Sequence, residues 1–465
     1  MLEQNDNKRL RQTLVACFAC TVLLAVWYLG KNPLIPLALA MMPLGLLLVL
    51  SNSFLVILGF IIFSFFRIHE VFPLLMPFKL PLLLALASFA ALGWNLFSGR
   101  ATLYWNRELG LFALFVLVVF SGCLLATNRG IAFSAFNGTF IKIAIIVIAI
   151  CWMTKGIEEF KLAARLICIA GLIVGLVTLF NAANGIGLVE GTRVTIGRDI
   201  GSMLGDPNDL ALVLLFPAAF GLSLLLSAKI SRTERVLGFF TIILMFLAIL
   251  ATQSRGGLLG IMAVCGVFAW YKVPSKSLLI VGGVVAMLAL FALAGIDERA
   301  SGGAHEEGID ESAMGRLHAW KAAFKMALHN PLTGIGIDNF YYNYFDYSDF
   351  WDGKNHAVHS TWFGVLAETG FLGLGLFLSL VFLSVRNMMR CVRITQAEHS
   401  DPYLSAMSMA LLAGLAGFCA SGTFLTMGFT WPFYIMFGLS IALRQIVSQN
   451  EKQKTATEQT SPLTI

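Results

Sequence analysis

Charged residues are scarce in this chain of 465 residues. Asp, Glu, Lys and Arg together make up 12% of it, against roughly one quarter in soluble domains. Hydrophobic residues make up 58%, and the mean hydropathy is +0.81. These values exclude an ordinary water-soluble globular protein. The composition predicts an all-α polytopic membrane protein, because a chain inside a bilayer must satisfy its backbone hydrogen bonds internally.

Several common functional classes are also excluded by what is missing. The net charge is +6, but the basic residues are spread over short loops and form no dense patch, so we expect no nucleic-acid partner. The chain has no glycine loop of the nucleotide-binding type and no cluster of metal ligands, so we expect no cofactor. Cys17 and Cys20 have the spacing of a redox motif, but they lie inside an apolar run, which favours simple packing.

The apolar runs are long enough to cross a membrane, which takes roughly 17–25 residues each. We predict a bundle of about 12–14 transmembrane helices. The range allows for the alternative that the second and third runs form one re-entrant pair. The runs lie near 13–30, 33–50, 53–67, 81–98, 109–126, 136–154, 163–184, 209–227, 234–251, 257–271, 276–294, 361–384, 404–425 and 429–445.

The basic residues predict the orientation of this bundle. Most of the 32 Lys and Arg residues fall in loops on the same side as the N-terminus, and the positive-inside rule places that side in the cytoplasm. An even number of spans then makes both termini cytoplasmic. The polar start Met1–Arg11 leads into an apolar run without a small-residue cleavage site, so we expect a retained first helix.

This orientation divides the chain into four parts. We predict an N-terminal transmembrane bundle over residues 1–294, one large extracytoplasmic loop with short helices over 295–360, C-terminal transmembrane helices over 361–448, and a disordered cytoplasmic tail over 449–465. Three segments, 182–208, 252–256 and 295–359, emerge on the side away from the cytoplasm. They carry the residues that are candidates for chemistry.

The first two outward segments contribute arginines. Arg193 and Arg198 lie in a glycine-punctuated loop, where solvation and phosphate binding both remain open. Arg255 precedes a predicted helix that starts with two glycines, which suits a diphosphate because a helix N-terminus presents free amides. The alternative is an arginine that reaches lipid headgroups. Asp206 and Asn208, on either side of a proline, are interpreted as helix caps.

The third outward segment contains an amphipathic pattern and an aromatic run. Its apolar residues Leu317, Trp320, Ala323 and Phe324 predict a helix along the membrane surface. The aromatic run has two open interpretations, anchoring at the membrane interface or stacking on sugar rings. It comprises Tyr341, Tyr342, Tyr344, Phe345, Tyr347, Phe350 and Trp351.

Two histidines close this segment. His356 and His359 are three residues apart, but no further ligand follows at a suitable spacing, which disfavours a metal site. A histidine with a near-neutral pKa suits a general base that takes a proton from an acceptor hydroxyl. In a continuous helix, Glu368 would lie on the opposite face from His359 and about 13 Å deeper. That geometry favours a structural carboxylate over half of a catalytic dyad.

Short polar motifs lie in order between Thr192 and Leu376. They read Gly205-Asp206-Pro207-Asn208-Asp209-Leu210-Ala211, Thr252-Gln253-Ser254-Arg255-Gly256-Gly257, Gly334-x-Gly336-x-Asp338-Asn339-Phe340, His359-Ser360-Thr361-x-Phe363 and Ala367-Glu368-Thr369-Gly370-Phe371-Leu372-Gly373. Together they resemble segments of the O-antigen ligase and polymerase superfamily of bacterial inner-membrane glycosyltransferases. Each motif alone is weak, and their common order makes the resemblance specific. The first five or so spans match this superfamily in hydropathy only.

This resemblance implies an activity. Such proteins transfer a glycan from undecaprenyl diphosphate on the periplasmic side, without a metal and by direct inversion. The ligases use a sugar hydroxyl of lipid A–core as the acceptor. The resemblance therefore implies a lipopolysaccharide-maturing enzyme of the inner membrane, whose partners are the lipid-linked glycan, lipid A–core and membrane lipids. We expect it to act as a monomer.

The resemblance also implies roles for single residues. His359 matches the essential histidine of the family, and Arg255 together with Arg193 or Arg198 matches the arginines assigned to the diphosphate. Arg316 matches a further recurrent position. Supporting roles are expected for His356 and Glu368. The family histidine is often followed by Asn, whereas this chain has Ser360.

Other functions remain open. An O-antigen polymerase or a protein O-oligosaccharyltransferase would use the same donor with a different acceptor. A transporter or lipid flippase would instead need broken helices and polar groups near the membrane midplane. In this chain the polar residues cluster at one side, and Lys142 is the main charge within a predicted span. This distribution favours an enzyme over a transporter.

Overall fold

The structure is a computed structural model of the chain. It describes residues 51–227, 229–293, 311–351, 353–396 and 401–460, together with the isolated positions 21, 27, 28, 40 and 45. The two predicted spans near 13–30 and 33–50, with Cys17 and Cys20, fall where only those isolated positions are described, so these predictions lie outside the described residues.

The described ranges form a helical bundle with one small β-hairpin. In chain order the helices are α1 (Ser53–Phe65), α2 (Ile68–Val71), α3 (Leu80–Phe97), α4 (Arg107–Leu125), α5 (Arg129–Met153, with a π-helical turn at Phe136–Phe140), α6 (Ile157–Asn184), α7 (Pro207–Leu226), α8 (Arg232–Thr252), α9 (Arg255–Lys272), α10 (Lys276–Leu293), α11 (Glu311–His329), α12 (Phe340–Tyr347), α13 (Thr361–Thr395), α14 (Pro402–Gly422) and α15 (Trp431–Thr460). Strands β1 (Leu188–Val189) and β2 (Arg193–Val194) pair antiparallel between α6 and α7.

The predicted helical membrane fold is confirmed. In the described ranges, eight helices are long and apolar enough to cross a membrane, namely α3, α4, α5, α6, α7, α8, α13 and α14. Two shorter apolar helices, Ser53–Phe65 and Lys276–Leu290, accompany them. Every predicted span from 53–67 onward overlaps one of the helices. The chain is a multi-pass membrane protein. The last helix continues to Thr460, through most of the segment predicted as a tail.

Two helices occupy the interior of the bundle. In α7 and α14, 78% of the apolar window is buried, a larger share than in the other long apolar helices. Close packing depends on small residues, as is usual between membrane helices. A Cβ added to Gly238 of α8 would lie 2.5 Å from the carbonyl oxygen of Gly221 in α7. Because α7 is held on all sides, the residues at its start have a firm support.

An aromatic cluster joins four further helices. The rings of Phe115 on α4 and Phe377 on α13 lie 5.8 Å apart, and those of Phe140 on α5 and Tyr434 on α15 lie 5.7 Å apart. All four side chains are fully buried. Ring distances of this size are favourable for edge-to-face and tilted aromatic pairs.

Long-range hydrogen bonds group the loops into two ends of the bundle. Ser202 donates to Glu70 at 2.6 Å, and the amide of Asn128 donates to Oδ1 of Asn339 at 2.9 Å. The first contact belongs to the loop that holds Arg193, and the second to the segment that leads to His359; we call this end the site face. At the opposite end, called the far face, Asn387 donates to Glu108 at 2.8 Å.

Helix α13 is broken near the site face, whereas the sequence predicted an uninterrupted span. Gly370 has φ 68° and ψ −171°, so the carbonyl groups before it are free to bind another segment. The amide of Phe371 donates to the carbonyl of Pro331 at 2.8 Å, and the amide of Ile335 donates to the carbonyl of Ala367 at 2.9 Å. The turn that follows α11 therefore forms hydrogen bonds with the backbone of α13 on both sides of the break.

Candidate active site

Arg193 lies on strand β2 and is buried, with 8% of its surface exposed. The hairpin turns through Glu190 and Gly191, which both have positive φ values, and this turn directs Arg193 inward. Its Nη2 donates to Oδ1 of Asn208 at 2.9 Å, and its Nε donates to the carbonyl of Thr252 at 3.3 Å. Glu190 lies 3.7 Å from Nη1. The guanidinium is thus held by three separate segments.

Asn208 connects the first and second outward segments. Its Oδ1 also accepts a hydrogen bond of 2.8 Å from the hydroxyl of Ser254. Ser254 in turn caps α9 by accepting from the amide of Gly257 at 3.1 Å. This arrangement places half-buried Arg255, the first residue of α9, next to the Arg193 segment.

The predicted capping roles are half correct. Asp206 caps α7, because its carboxylate accepts from the amide of Asn208 at 2.7 Å and from the amide of Asp209 at 3.3 Å. The interpretation of Asn208 as a cap is wrong. Its side chain points back to Arg193, because the interior helix α7 presents it beside the hairpin.

Arg316 comes to this site from helix α11. One turn later on the same helix, the indole of Trp320 donates to the carbonyl of Val358 at 3.1 Å and stacks on Phe363 at 5.1 Å. These contacts fix α11 against the chain beside His359. The guanidinium carbon of Arg316 lies 5.8 Å from the ring centre of Phe424, a distance suited to a cation–π contact.

Helix α11 was predicted, but its buried face differs from the prediction. Leu317 and Phe324 are exposed, with 50% and 45% of their surfaces accessible. The face that packs on the protein is formed by Ala319, Ala323 and Met326. Small side chains on this face let α11 approach α13 closely, which a helix lying flat on the membrane would not require.

His359 lies just before α13 and has a left-handed backbone with φ 44°. Its side chain keeps an exposed surface, while the neighbouring residues Val358 and Ser360 are buried. Ser360 caps α13 through the amide of Phe363 at 3.5 Å. Ser and Asn are both good helix caps, which accounts for a serine at this position.

The loop between α14 and α15 supports this histidine. The hydroxyl of Thr361 donates to the carbonyl of Leu425 at 2.8 Å, and the indole of Trp362 donates to the hydroxyl of Thr423 at 3.0 Å. The same loop approaches α9, since a Cβ on Gly256 would lie 3.8 Å from Cβ of Phe424. The loop therefore contacts the segments that carry Arg255, Arg316 and His359.

Burial and neighbouring positive charges lower the pKa values of His359 and Arg193. Partial burial between the surrounding segments lowers the pKa of His359 below its ordinary 6.5, and the charges of Arg316 and His356 lower it further. Asp206 opposes this shift. The imidazole is therefore largely neutral at pH 7 and able to accept a proton.

Arg193 belongs to the same electrostatic group. Burial lowers its pKa most, the carboxylates of Glu190 and Asp206 oppose that shift, and the charges of Arg316 and Arg255 lower the pKa further. A buried cation surrounded by other cations is unfavourable without an anion. The arrangement is suited to a ligand that carries several negative charges, such as a diphosphate.

Comparison with protein families supports this assignment. Residues 240–378 match the family model described as O-antigen ligase. This segment is similar to an O-antigen ligase domain. Such domains occur in O-antigen ligases and polymerases, so the match indicates a glycan-transferring enzyme with lipid-linked glycan substrates. A search of curated proteins found no match.

The O-antigen ligase domain contains some of the candidate residues and excludes others. Arg255, Arg316 and His359 lie inside it, whereas Arg193 comes from the chain before it. The structure thus brings together residues of the domain and of the preceding hairpin. The sequence motifs had named all four of these residues as candidates.

Arg198 lies apart from this group. It is exposed, and its Nη1 donates to the carbonyl of Gly205 at 3.2 Å. The charges that act on Arg193 and His359 do not include it. Gly197 and Gly201, both with positive φ, enclose the short 3-10 turn that carries Arg198. The two arginines of this loop therefore differ in surroundings, which their sequence context did not reveal.

His356 and Glu368 also have distinct positions. The ring of His356 lies 5.2 Å from that of Tyr344, and its charge acts on His359. Glu368 is buried within α13, and its Oε1 accepts from the amide of Phe340 at 3.3 Å. The helical geometry assumed for His359 and Glu368 was wrong, because α13 begins only at Thr361.

Sequence reasoning missed several residues of the site. Asn208 was seen but given another role, and Ser254 and Phe424 were not considered. The motifs around residues 205–211 and 252–257 contained a signal for Asn208 and Ser254, since both are polar residues beside candidate arginines. No motif pointed to Phe424, because it lies at the end of the predicted apolar run 404–425, whereas α14 ends at Gly422 in the structure.

Proposed function

We propose that the protein transfers an O-antigen glycan from undecaprenyl diphosphate to a sugar hydroxyl of lipid A–core. One observation supports this most directly. Arg193, Arg255 and Arg316, from three separate segments, form one electrostatic group with His359 at the site face. The combination of several cations and a neutral imidazole suits a reaction that releases a diphosphate and removes a hydroxyl proton.

In the proposed reaction, the acceptor hydroxyl oxygen attacks the anomeric carbon of the glycan. The bond between that carbon and the diphosphate oxygen breaks on the opposite side, so the anomeric configuration inverts. The electron pair leaves with the diphosphate. His359 accepts the proton of the attacking hydroxyl, which leaves a glycosidic bond, an imidazolium and undecaprenyl diphosphate.

The arginines stabilise the negative charge that grows on the leaving diphosphate. Preorganised cations of this kind contribute most where water is excluded, because the local dielectric constant is low. Arg193 is held in place by hydrogen bonds to Asn208 and Thr252. We assign it and Arg255 to the diphosphate, and we place Arg316 between the diphosphate and His359. In this proposal the arginines carry out the charge stabilisation for which other transferases use a metal ion.

We further propose that the site face is periplasmic and the far face cytoplasmic. The basic loops support this orientation through the positive-inside rule. Both termini then lie in the cytoplasm of a bacterial cell, and the protein resides in the inner membrane. Donor and acceptor would reach the site from the outer leaflet of that membrane.

The test is a transfer assay with the purified full-length protein, lipid-linked glycan and lipid A–core, with EDTA present. The expected product is glycan-capped lipid A–core from the wild type. His359→Gln and Arg255→Gln should each remove it. His318→Gln is a suitable control, because His318 stacks on Phe350 and has no role in the proposed reaction.

Other outcomes would assign another function. Lengthening of the lipid-linked glycan in place of capping would indicate a polymerase, and glycan attached to a protein acceptor would indicate an O-oligosaccharyltransferase. Movement of the lipid-linked glycan across vesicles without any transfer would indicate a flippase. Unchanged activity of His359→Gln would refute the assignment of the base.

A further inference from the structure

A second cationic site lies at the far face, remote from the candidate active site. A cavity of about 270 Å³ opens between the start of α4, the end of α13 and helix α15. The charged side chains around it are Arg107, Glu108, Arg386, Arg390 and Arg444, and the amide side chains are Asn106 and Asn387. Four arginines and one carboxylate around one cavity are a strong concentration of charge for this chain.

The carboxylate neutralises only one of these arginines. Glu108 forms an ion pair with Arg444 and accepts a hydrogen bond of 2.8 Å from Asn387. Arg107, Arg386 and Arg390 are exposed and form no ion pair with any residue of the described ranges. The cavity therefore retains an excess of three positive charges, which favours an anionic occupant.

Glu108 also points to the chemistry of that occupant. Its side chain is buried, with 3% of its surface exposed, and its Oε2 has no hydrogen-bond partner within the described residues. A buried carboxylate oxygen without a donor is costly. An occupant with a hydroxyl group next to its anionic group would supply the missing donor. The N-terminus of α4, capped by Asn106, adds a further partial positive charge.

An apolar cavity continues from the cationic one along α13. It has a volume of about 420 Å³ and shares Arg386 and Arg390 with the first cavity. Its apolar part is formed by Phe382, Val385 and Met389, which lie on one face of the helix at intervals of three and four residues. Phe382 is 64% exposed. A hydrocarbon chain is the natural occupant of such a surface within a membrane.

We propose that these two cavities bind one anionic glycerophospholipid with a hydroxylated headgroup, such as phosphatidylglycerol. The phosphate binds Arg386 and Arg390, a headgroup hydroxyl donates to Oε2 of Glu108, and an acyl chain lies along Phe382 and Met389. Basic pockets between membrane helices are suited to acidic lipid headgroups. The lipid is a structural ligand at the far face and takes no part in glycan transfer.

Lipid binding is tested on the delipidated full-length protein in detergent by native mass spectrometry, with phosphatidylglycerol and phosphatidylcholine of equal chain length. We expect one phosphatidylglycerol per protein, bound at least tenfold more tightly than phosphatidylcholine. Arg386→Gln/Arg390→Gln should remove this preference, and each single variant should weaken it. The control variant Lys229→Gln/Arg232→Gln removes the same charge from exposed positions of the far face. This variant should keep the preference for phosphatidylglycerol.

Several outcomes would overturn the proposal. They are equal affinity for the two lipids, unchanged binding to the double variant, and binding of many lipids without saturation. Displacement of the lipid by millimolar inorganic phosphate would identify a site for free phosphate instead. Phosphatidylmethanol, which lacks the headgroup hydroxyls, should bind more weakly than phosphatidylglycerol. Equal binding of these two would refute the contact with Glu108.

Discussion

Oδ1 of Asn208 lies 2.9 Å from Nη2 of Arg193 and accepts its hydrogen bond. The same oxygen accepts from the hydroxyl of Ser254 at 2.8 Å. Asn208 therefore orients a cation that belongs to the proposed diphosphate site, and it links that cation to the start of α9. It is a positioning residue in this scheme, because it acts through Arg193.

Asn208→Ala should reduce transfer without unfolding the protein. Loss of a hydrogen bond to a charged group costs about 1.5–3 kcal/mol, which corresponds to a roughly 10- to 150-fold lower rate if the loss falls on the transition state. The measurement is kcat/KM for the glycan donor. Asn184→Ala is the matched control, since Asn184 is an exposed asparagine of the same face whose side chain donates to the carbonyl of Phe180 in its own helix. Equal rates for both variants would contradict the role of Asn208.

The two arginines of the hairpin loop should differ sharply when each is replaced by glutamine. Arg193→Gln should lower kcat/KM about 100-fold or more, because a fixed cation beside the leaving group is lost. Arg198→Gln should lower it less than about threefold, because an exposed side chain contributes little. The pair forms its own control, since both variants remove one positive charge. A larger effect at Arg198 would contradict the proposed site.

The pH dependence of transfer should follow the charges around His359. The base must be unprotonated, so the rate falls as the pH decreases through its pKa. Because the pKa of His359 is lowered, the acidic limb of kcat/KM should lie below pH 6.5. Arg316→Gln removes a charge that lowers this pKa, so the limb should move to higher pH.

Asp206→Asn should move the limb the other way, to lower pH, because Asp206 raises the pKa of His359. Asn retains the acceptor that caps α7. Opposite shifts from these two variants would be difficult to explain by general loss of structure. Shifts in the same direction, or no shift, would argue against His359 as the titrating group.

Gly370→Ala should destabilise the protein strongly. The backbone at Gly370 has φ 68°, and a Cβ there would lie 2.5 Å from the carbonyl oxygen of Pro331. With ψ at −171° this backbone lies in a region that is nearly exclusive to glycine, and occupying it costs another residue about 1–3 kcal/mol; the clash adds to this. The measurement is the thermal unfolding midpoint in detergent. Gly375→Ala, five residues later with nothing within 4 Å of its added Cβ, should leave the midpoint unchanged or raised.

The sequence predicted the helices well because hydropathy is a local property of each run. The cap at Asp206 was also predictable, because the cap and the amides it satisfies are at most three residues apart. By contrast, the contact of Asn208 with Arg193 depends on how a hairpin packs over α7. The surroundings that separate Arg193 from Arg198 also arise from this packing. Neither residue type nor spacing contains that information.

The part of the site around His359 shows the same limit. The sequence analysis assumed a helix from His359 onward. In the structure, Ser360 still has an extended backbone and α13 starts at Thr361. The loop residues Thr423 and Leu425, which hold the start of α13, come more than sixty residues later in the chain. Their contribution follows from the tertiary fold and leaves no pattern near the histidine.

The break in α13 has a consequence for protein engineering. The turn at Pro331–Ile335 and the backbone of α13 around Ala367 and Gly370 form hydrogen bonds with each other. Neither segment satisfies its backbone groups without the other. A chimera that exchanged only the 311–360 segment with that of a relative would bring a foreign turn to an unmatched helix. Grafts in this region should therefore carry residues 330–372 as a single unit.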